Sequence, residues 1–167
     1  MANRTYNQMF PEGLGRLISN LIQLEFTIRI ALHLQEPHPM PTETLRLLSP
    51  GDDLPENNIT NWDTLGQLIS KYNAVEAVRG GKTIDPEIVD LRDTLAHGRM
   101  TASTTTSEYR LIRFSKPDKT TRRAKVEDVH TLTLPWLNHQ IGRTVKAMEI
   151  TLARVKELRP SVRLHSS

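Results

Sequence analysis

Four stretches of the chain repeat apolar residues at three- and four-residue steps, the spacing that lines one face of an α-helix. The first runs over roughly residues 11–35 and opens on Pro11-Glu12. Leu14, Leu17, Ile18, Leu21, Ile22, Leu24, Ile28 and Leu32 fill more than one stripe, which predicts a helix buried on two sides, either central in a bundle or shared between a bundle and a dimer interface. Glu25 and Arg29 on this helix are four apart and are expected to form a surface or interface ion pair. The second stretch begins at Asn61-Trp62-Asp63 and reaches about Val78, with Leu65, Leu68, Ile69, Tyr72, Val75 and Val78 on its apolar face and Gly80-Gly81 as its stop. Trp62 and Tyr72 lie on or beside that face and read as packing residues. In the third, Ile84, Ile88, Leu91 and Leu95 share a core-facing stripe, Asp85 is the N-cap, Pro86 takes the first helical position and Gly98 ends the helix. The fourth is capped by Thr133, carries Pro135 in its first turn, repeats Leu137, Ile141, Val145, Met148, Leu152 and Val155, and stops at Pro160.

Two stretches break the helical period. Pro37, Pro39, Pro41, Pro50 and Pro55 fall between residues 36 and 60, a density that no long helix survives. There the segment from Thr42 to Leu48 predicts two short turns capped by Thr42, and the remainder reads as a long loop of the kind that is often functional or mobile. His33 and His38 flank its start without a set of carboxylates at ligand spacing, so no metal site is expected. Later, residues 100–107 form a Thr/Ser-rich linker. Tyr109-Arg110-Leu111-Ile112-Arg113-Phe114 and a second run near Lys125–Leu132 then flank the turn Lys116-Pro117-Asp118-Lys119-Thr120. The pattern predicts a mainly all-α domain, a four-helix-type bundle with a small β-hairpin inserted before the last helix. One domain over 1–160 is expected, with a Pro-rich loop at 36–60, a basic β-hairpin at 108–132 and a flexible tail at 161–167.

Composition narrows the class. With 37% hydrophobic and 25% charged residues the chain reads as globular. The absence of Cys excludes a disulfide framework and a thiolate metal site, and suits a cytoplasmic protein. Neither a signal peptide over Met1–Tyr6 nor an apolar run long enough to span a membrane is read. Charge is lopsided: residues 1–109 carry 9 Lys/Arg against 14 Asp/Glu, whereas residues 110–167 carry 13 against 5. A polyanion would land on the second part. The hairpin concentrates Arg110, Arg113, Lys116, Lys119, Arg122, Arg123 and Lys125 against one acid, Asp118. These groups can hold a phosphate backbone, or they can guard an exposed edge against aggregation.

Candidate chemistry gathers at the end of the third helix, in Asp90-Leu91-Arg92-Asp93-Thr94-Leu95-Ala96-His97-Gly98-Arg99. Asp93 and His97 are four apart and share a helix face roughly opposite the apolar stripe, so the carboxylate can hold the imidazole. The helix C-terminus favours a cation there as well. Arg92 and His97 are about 140° apart on an ideal helix, so one straight helix does not join them. Long side chains, a loosened final turn or a second copy of the helix would be needed. Arg, Asp and His this close to a helix end also serve simply to cap carbonyls and make surface pairs. The triplet Gly81-Lys82-Thr83 lacks the earlier glycine and preceding strand of a phosphate-binding loop and is set aside.

The order Arg92-Asp93-x3-His97-Gly98 resembles the Arg-x4-6-His motif of the HEPN superfamily, in which a polar residue follows the Arg. The resemblance implies a helical bundle that dimerises with both motifs lining one cleft and, in active members, a ribonuclease without a metal or other cofactor. Many members are toxins, controlled by an antitoxin, or phage-defence proteins; others bind a nucleotide, RNA or a partner protein without catalysis. In the toxin branch paired with nucleotidyltransferase antitoxins a Tyr stands two places after the His. Here that place is Arg99, so control through that Tyr is not expected. RNA carries its own nucleophile, the 2′-hydroxyl, and cleavage needs a base for its proton and a cation for the charge on phosphorus oxygens. The resemblance gives His97 the general base or acid role, Arg92 the phosphate and Asp93 the orientation of His97. The products would be a 2′,3′-cyclic phosphate and a 5′-hydroxyl. Arg99, Arg110, Arg113, Lys116, Arg122, Arg123 and Lys125 would bind the RNA, and Pro117-Asp118 would turn the hairpin that carries most of them.

Overall fold

A computed structural model describes residues 6–102 and 109–163. Its elements run α1 (Tyr6–His33), a 3-10 turn (Thr42–Arg46), α2 (Leu65–Arg79), α3 (Ile88–His97), β1 (Arg99–Ala102), β2 (Tyr109–Phe114), β3 (Val126–Leu132) and α4 (Leu134–Arg163). The protein is mainly α-helical, with one small antiparallel sheet among the described residues. None of the helices among those residues is long and apolar enough to cross a membrane.

The chain forms two compact units, and both long helices contribute to each. One unit gathers the described residues of Met1–Ile18 and Glu87–Arg143. Its centre is the sheet, a meander in the order β1-β2-β3. The expected hairpin strands are present, but Arg99–Ala102 is a third strand where a linker was expected, pairing Arg99 with Ile112 and Ala102 with Tyr109. A two-stranded ribbon has few ways to bury a face; a third strand widens that face. The rest of the expected linker, residues 103–107, lies outside the described residues. Strand alternation sets Tyr109, Leu111 and Arg113 on one side of β2 and Arg110, Ile112 and Phe114 on the other. On the first side Leu111 and Leu132 are buried, and Tyr109 stacks on Phe10 of α1 with centroids 4.5 Å apart and planes 4° from parallel. That contact explains why α1 starts at least five residues before Pro11. Pro11 lies inside the helix, near its N-terminal end, where a missing N–H costs little.

The other unit gathers Ser19–Pro86 and the described residues of Thr144–Ser167. Leu21, Leu24, Ile28 and Ala31 of α1 are buried at helical spacing. The second expected stripe of α1 is not covered within the chain: Ile18, Ile22 and Phe26 are exposed, Ile22 at 66%. On α4 the buried positions alternate between apolar and polar, with Thr144 and Thr151 inside and Leu152 outside. Asn20 Nδ2 donates to Thr144 Oγ1 at 3.1 Å, and the Thr27 and Thr151 hydroxyls meet at 3.1 Å, so these polar layers satisfy one another across α1 and α4. A hydrophobicity pattern has no means of anticipating that pairing.

Helix α2 begins at Leu65, three residues after Trp62, because Thr64 and Gln67 close a capping box there; Gly80, with φ 68°, ends it in the left-handed conformation. Trp62 is therefore left in the preceding loop at 98% exposure, and Val78 is also exposed; neither packs as expected, whereas Tyr72 is fully buried. Thr42 does not cap its turn, whose N-cap is Pro41 with no side-chain bond. At the other end of the chain α4 passes Pro160 and continues to Arg163. The proline removes one backbone hydrogen bond in the final turns, where that loss is cheapest. The expected tail is thus helical as far as Arg163, and residues 164–167 lie outside the described residues.

Candidate functional site

Helix α3 positions the motif. Ile88, Leu91 and Thr94 are buried, and Leu95 only half-buried, so Thr94 takes the core place expected of Leu95. Ile84 sits before the helix, buried, with its backbone N–H and C=O both bonded to the Asn73 side chain at 2.7 Å. Asp85, Pro86 and Glu87 precede the helix, and Glu87 rather than Asp85 is the N-cap. Glu87 also meets Arg143 of α4 at 3.1 Å.

At the C-terminal end Gly98 is the cap in an extended conformation, φ −69° and ψ 157°, which any residue can adopt. What excludes a side chain is space. A Cβ at Gly98 would collide with the Thr94 carbonyl oxygen and lie 2.7 Å from Leu111 Cδ1. The glycine lets the chain pass from α3 straight into β1 against β2. His97 and Arg99 are thereby held on either side of one tightly packed residue.

The three motif side chains divide differently from expectation. Arg92 Nη1 donates to Asp93 Oδ1 at 3.0 Å, and both side chains are 40% exposed. The His97 ring is exposed and has no hydrogen-bond partner among the described residues, Asp93 included. The carboxylate therefore orients the guanidinium, not the imidazole. Arg, with five donors in a rigid fork, competes for the same oxygens more effectively than an imidazole at a fraying helix end. Arg92 Nη1 is tied to Asp93, and its other donors have no partner among the described residues.

The basic residues of the sheet fall into two sets. Arg113 lies on the side that packs against α3, with Nη1 3.9 Å from Asp90 and Nε 3.6 Å from Glu127. These two carboxylates partly offset its charge, although its buried Nε has no hydrogen-bond partner among the described residues. Arg99 and Arg110 lie on the opposite face, and Lys116, Lys119, Arg122, Arg123 and Lys125 are exposed around the turn. The turn itself is held by Asp118, whose carboxylate accepts from the Thr120 N–H, the Thr121 N–H at 2.7 Å and the Thr121 hydroxyl at 2.9 Å. The bonds from Thr121, chiefly its backbone N–H, hold the Asp118 carboxyl below the ordinary Asp value. Asp118 thus stays anionic while it holds the turn, a single negative charge among the five surrounding cations.

Two features had no signal in the sequence pattern. Phe114 is an exposed aromatic with the Arg99 guanidinium over its ring, the guanidinium carbon 5.8 Å from the centroid. Only strand register makes these neighbours. In the other unit Glu76 and Arg154 are both buried and meet at 2.9 Å; Arg154 also reaches Glu157 and Gln35. Burial pushes the Glu76 carboxyl up, against the pull of Arg79, and burial likewise pushes Tyr72 up to about 12. A concavity of about 980 Å³ opens beside this pair, lined by Lys82, Lys146 and Glu149 among others, and no motif residue lines it.

No group of three or more His, Asp or Glu among the described residues is arranged to hold a metal ion. Comparisons with protein-family models, curated proteins and solved structures return no match to this chain.

Proposed function

We propose that the protein is a metal-independent endoribonuclease of the HEPN type, acting in toxin or phage-defence systems. The observation that carries this reading is the state of the α3 terminus: an exposed imidazole with no hydrogen-bond partner among the described residues stands five residues after a half-exposed guanidinium, on the element that leads into a strongly basic sheet. Elsewhere in the fold, Arg29, His33 and Arg154 are consumed by structural partners. His97 removes the 2′-hydroxyl proton or protonates the leaving 5′-oxygen, and Arg92, oriented by Asp93, stabilises the charge on the phosphorus oxygens. Because Arg92 and His97 point about 140° apart on one helix, the complete site is formed by two copies, Arg92 of one and His97 of the other. The exposed Ile18, Ile22 and Phe26 of α1 supply an apolar stripe for a second copy to cover.

The test is incubation of a mixed-sequence RNA in EDTA with wild type, Arg92→Ala and His97→Ala, with analysis of the product ends. Cyclic phosphate formed by the wild type and absent from both variants is the expected result. Mixing the two inactive variants should restore part of the activity, since a mixed dimer contains one intact site. Intact RNA with all three folded proteins would overturn the catalytic assignment. It would favour a binding module of the same fold, a reading supported by the Arg92–Asp93 pair, which leaves His97 unassisted within one chain.

A further inference from the structure

The sheet has one face packed and one face open. Around the open face, β1 contributes Arg99 and Thr101, β2 contributes Arg110, Ile112 and Phe114, and β3 contributes Val126, Val129 and Thr131. Phe114, Val126 and Val129 are exposed, and Ile112 is half-buried. An uncovered sheet face that combines an aromatic ring, branched apolar residues and arginines, bordered by a turn with five cations, is built for a ligand that is both apolar and polyanionic.

We infer that this face binds single-stranded RNA, with a base stacked against the Arg99–Phe114 pair and the flanking phosphates on Arg110 and the cations of the turn; the inference rests on RNA being the substrate and specifies how it is held. A single strand exposes base faces that reward apolar contact and phosphates that reward cations. A duplex shows mainly phosphates and sugars to a flat sheet, leaving Ile112, Phe114 and Val129 unrewarded. A second copy of this chain docking through the same face would set Arg99 and Arg110 against their own images, a like-charge arrangement that opposes association. Helix α3 lies on the other side of the sheet, as its Asp90 contact to Arg113 and the fit of Gly98 against Leu111 require. The strand reaches His97 by passing the edge strand β1, which is four residues long and separated from His97 only by Gly98.

The experiment uses a mixed-sequence 2′-O-methyl oligonucleotide, which cannot be cut, as a single strand and as a duplex, with anisotropy recorded across a salt series. The wild type should bind the single strand at least tenfold more tightly than the duplex. Phe114→Ala should weaken the single-strand complex about tenfold with the salt slope unchanged, and Phe114→Trp should retain binding. Arg110→Gln should reduce the slope by about 0.7. Equal affinity for duplex and single strand, or a folded Phe114→Ala protein that binds as the wild type does, overturns the inference. So does binding of neither form, which would leave the face to a protein partner. Cleavage is read separately: binding through Phe114 without cleavage sustains this inference and sinks the nuclease reading, whereas cleavage indifferent to Phe114→Ala does the reverse.

Discussion

Two helices of this protein carry an Arg and a His a turn or so apart, and the structure uses them in opposite ways. On α1, Arg29 donates to the carbonyls of Asn58, Asn61 and Asp63, to the Asn61 side chain at 2.8 Å and to Glu25 at 3.1 Å. Four residues on, His33 is 1% exposed, with Nδ1 2.6 Å from Glu36 and Nε2 3.2 Å from the Met40 carbonyl. Glu36 in turn accepts from Asn58. The expected Glu25–Arg29 ion pair forms, and the same guanidinium does more: together with His33 and Glu36 it ties the proline-rich segment to α1 by satisfying carbonyls that no secondary structure satisfies. On α3, among the described residues, the Arg92 side chain has one polar partner and the His97 ring has none. The same residue types are structural where a loop folds over them and chemical candidates where the chain turns away. Sequence spacing does not distinguish the two; the backbone around them does.

The sharpest way to break that comparison is to exchange the substitutions. Arg29→Met should destabilise the protein by about 4 kcal/mol, since several partly buried acceptors lose their donor together, and thermal melting should fall by roughly 10 °C. Arg92→Met should change stability by no more than about 0.5 kcal/mol while abolishing RNA cleavage. If Arg92→Met proves as damaging to the melt as Arg29→Met, the α3 pair is structural after all.

Arg154 extends the structural class. Arg154→Met leaves buried Glu76 with only the longer, half-exposed Arg79 contact at 3.6 Å as counter-charge and should cost about 3 kcal/mol in denaturant unfolding, much of which Glu76→Leu in the same chain should restore. Gly98→Ala lies between the two classes. The added methyl must displace Thr94 or Leu111, so a loss of about 2 kcal/mol is expected, together with a fall in cleavage because His97 and Arg99 move apart. Cleavage that survives that loss of stability would show that the α3-to-β1 join does not set the site.

A pH titration reads the interior of the helical unit from another direction. Tyr72 keeps its proton in the folded state up to about 12, above the ordinary value of 10.0. Its contribution to stability is therefore complete below pH 10 and is lost as the pH rises towards 12, because only the unfolded chain ionises in that window. Phenolate absorbance should show one of the three tyrosines ionising together with unfolding. The smallest effect is reserved for Trp62. At 98% exposure, Trp62→Ala should shift stability by less than about 0.5 kcal/mol, despite removing the largest side chain in its loop.

Much of the fold was legible in advance. Four helical periods, the glycine after α2, the hairpin strands about Asp118 and the exposed basic turn were all readable because each depends on neighbours within a few residues. Helix limits were less so. Phe10 extends α1 by stacking on Tyr109, far away in sequence, and Thr64 starts α2 later than the apolar pattern suggests. For the site, the positions of Arg92, Asp93 and His97 near a helix end were legible, but the choice of Arg92 over His97 as the partner of Asp93 was not. The basic residues could be counted but not sorted by face until β1 joined the sheet.

What the amino-acid order determined on its own was therefore local: periodicity, caps, turns and the charge of each segment, all set by backbone geometry and adjacent side chains. Tertiary structure decided which of two chemically similar Arg and His sets became scaffold, which cations stood opposite an acid and which aromatic was left in the open. The reason is physical. A polar group's role depends on which donors and acceptors surround it after water has been excluded, and those neighbours are brought in from distant parts of the chain.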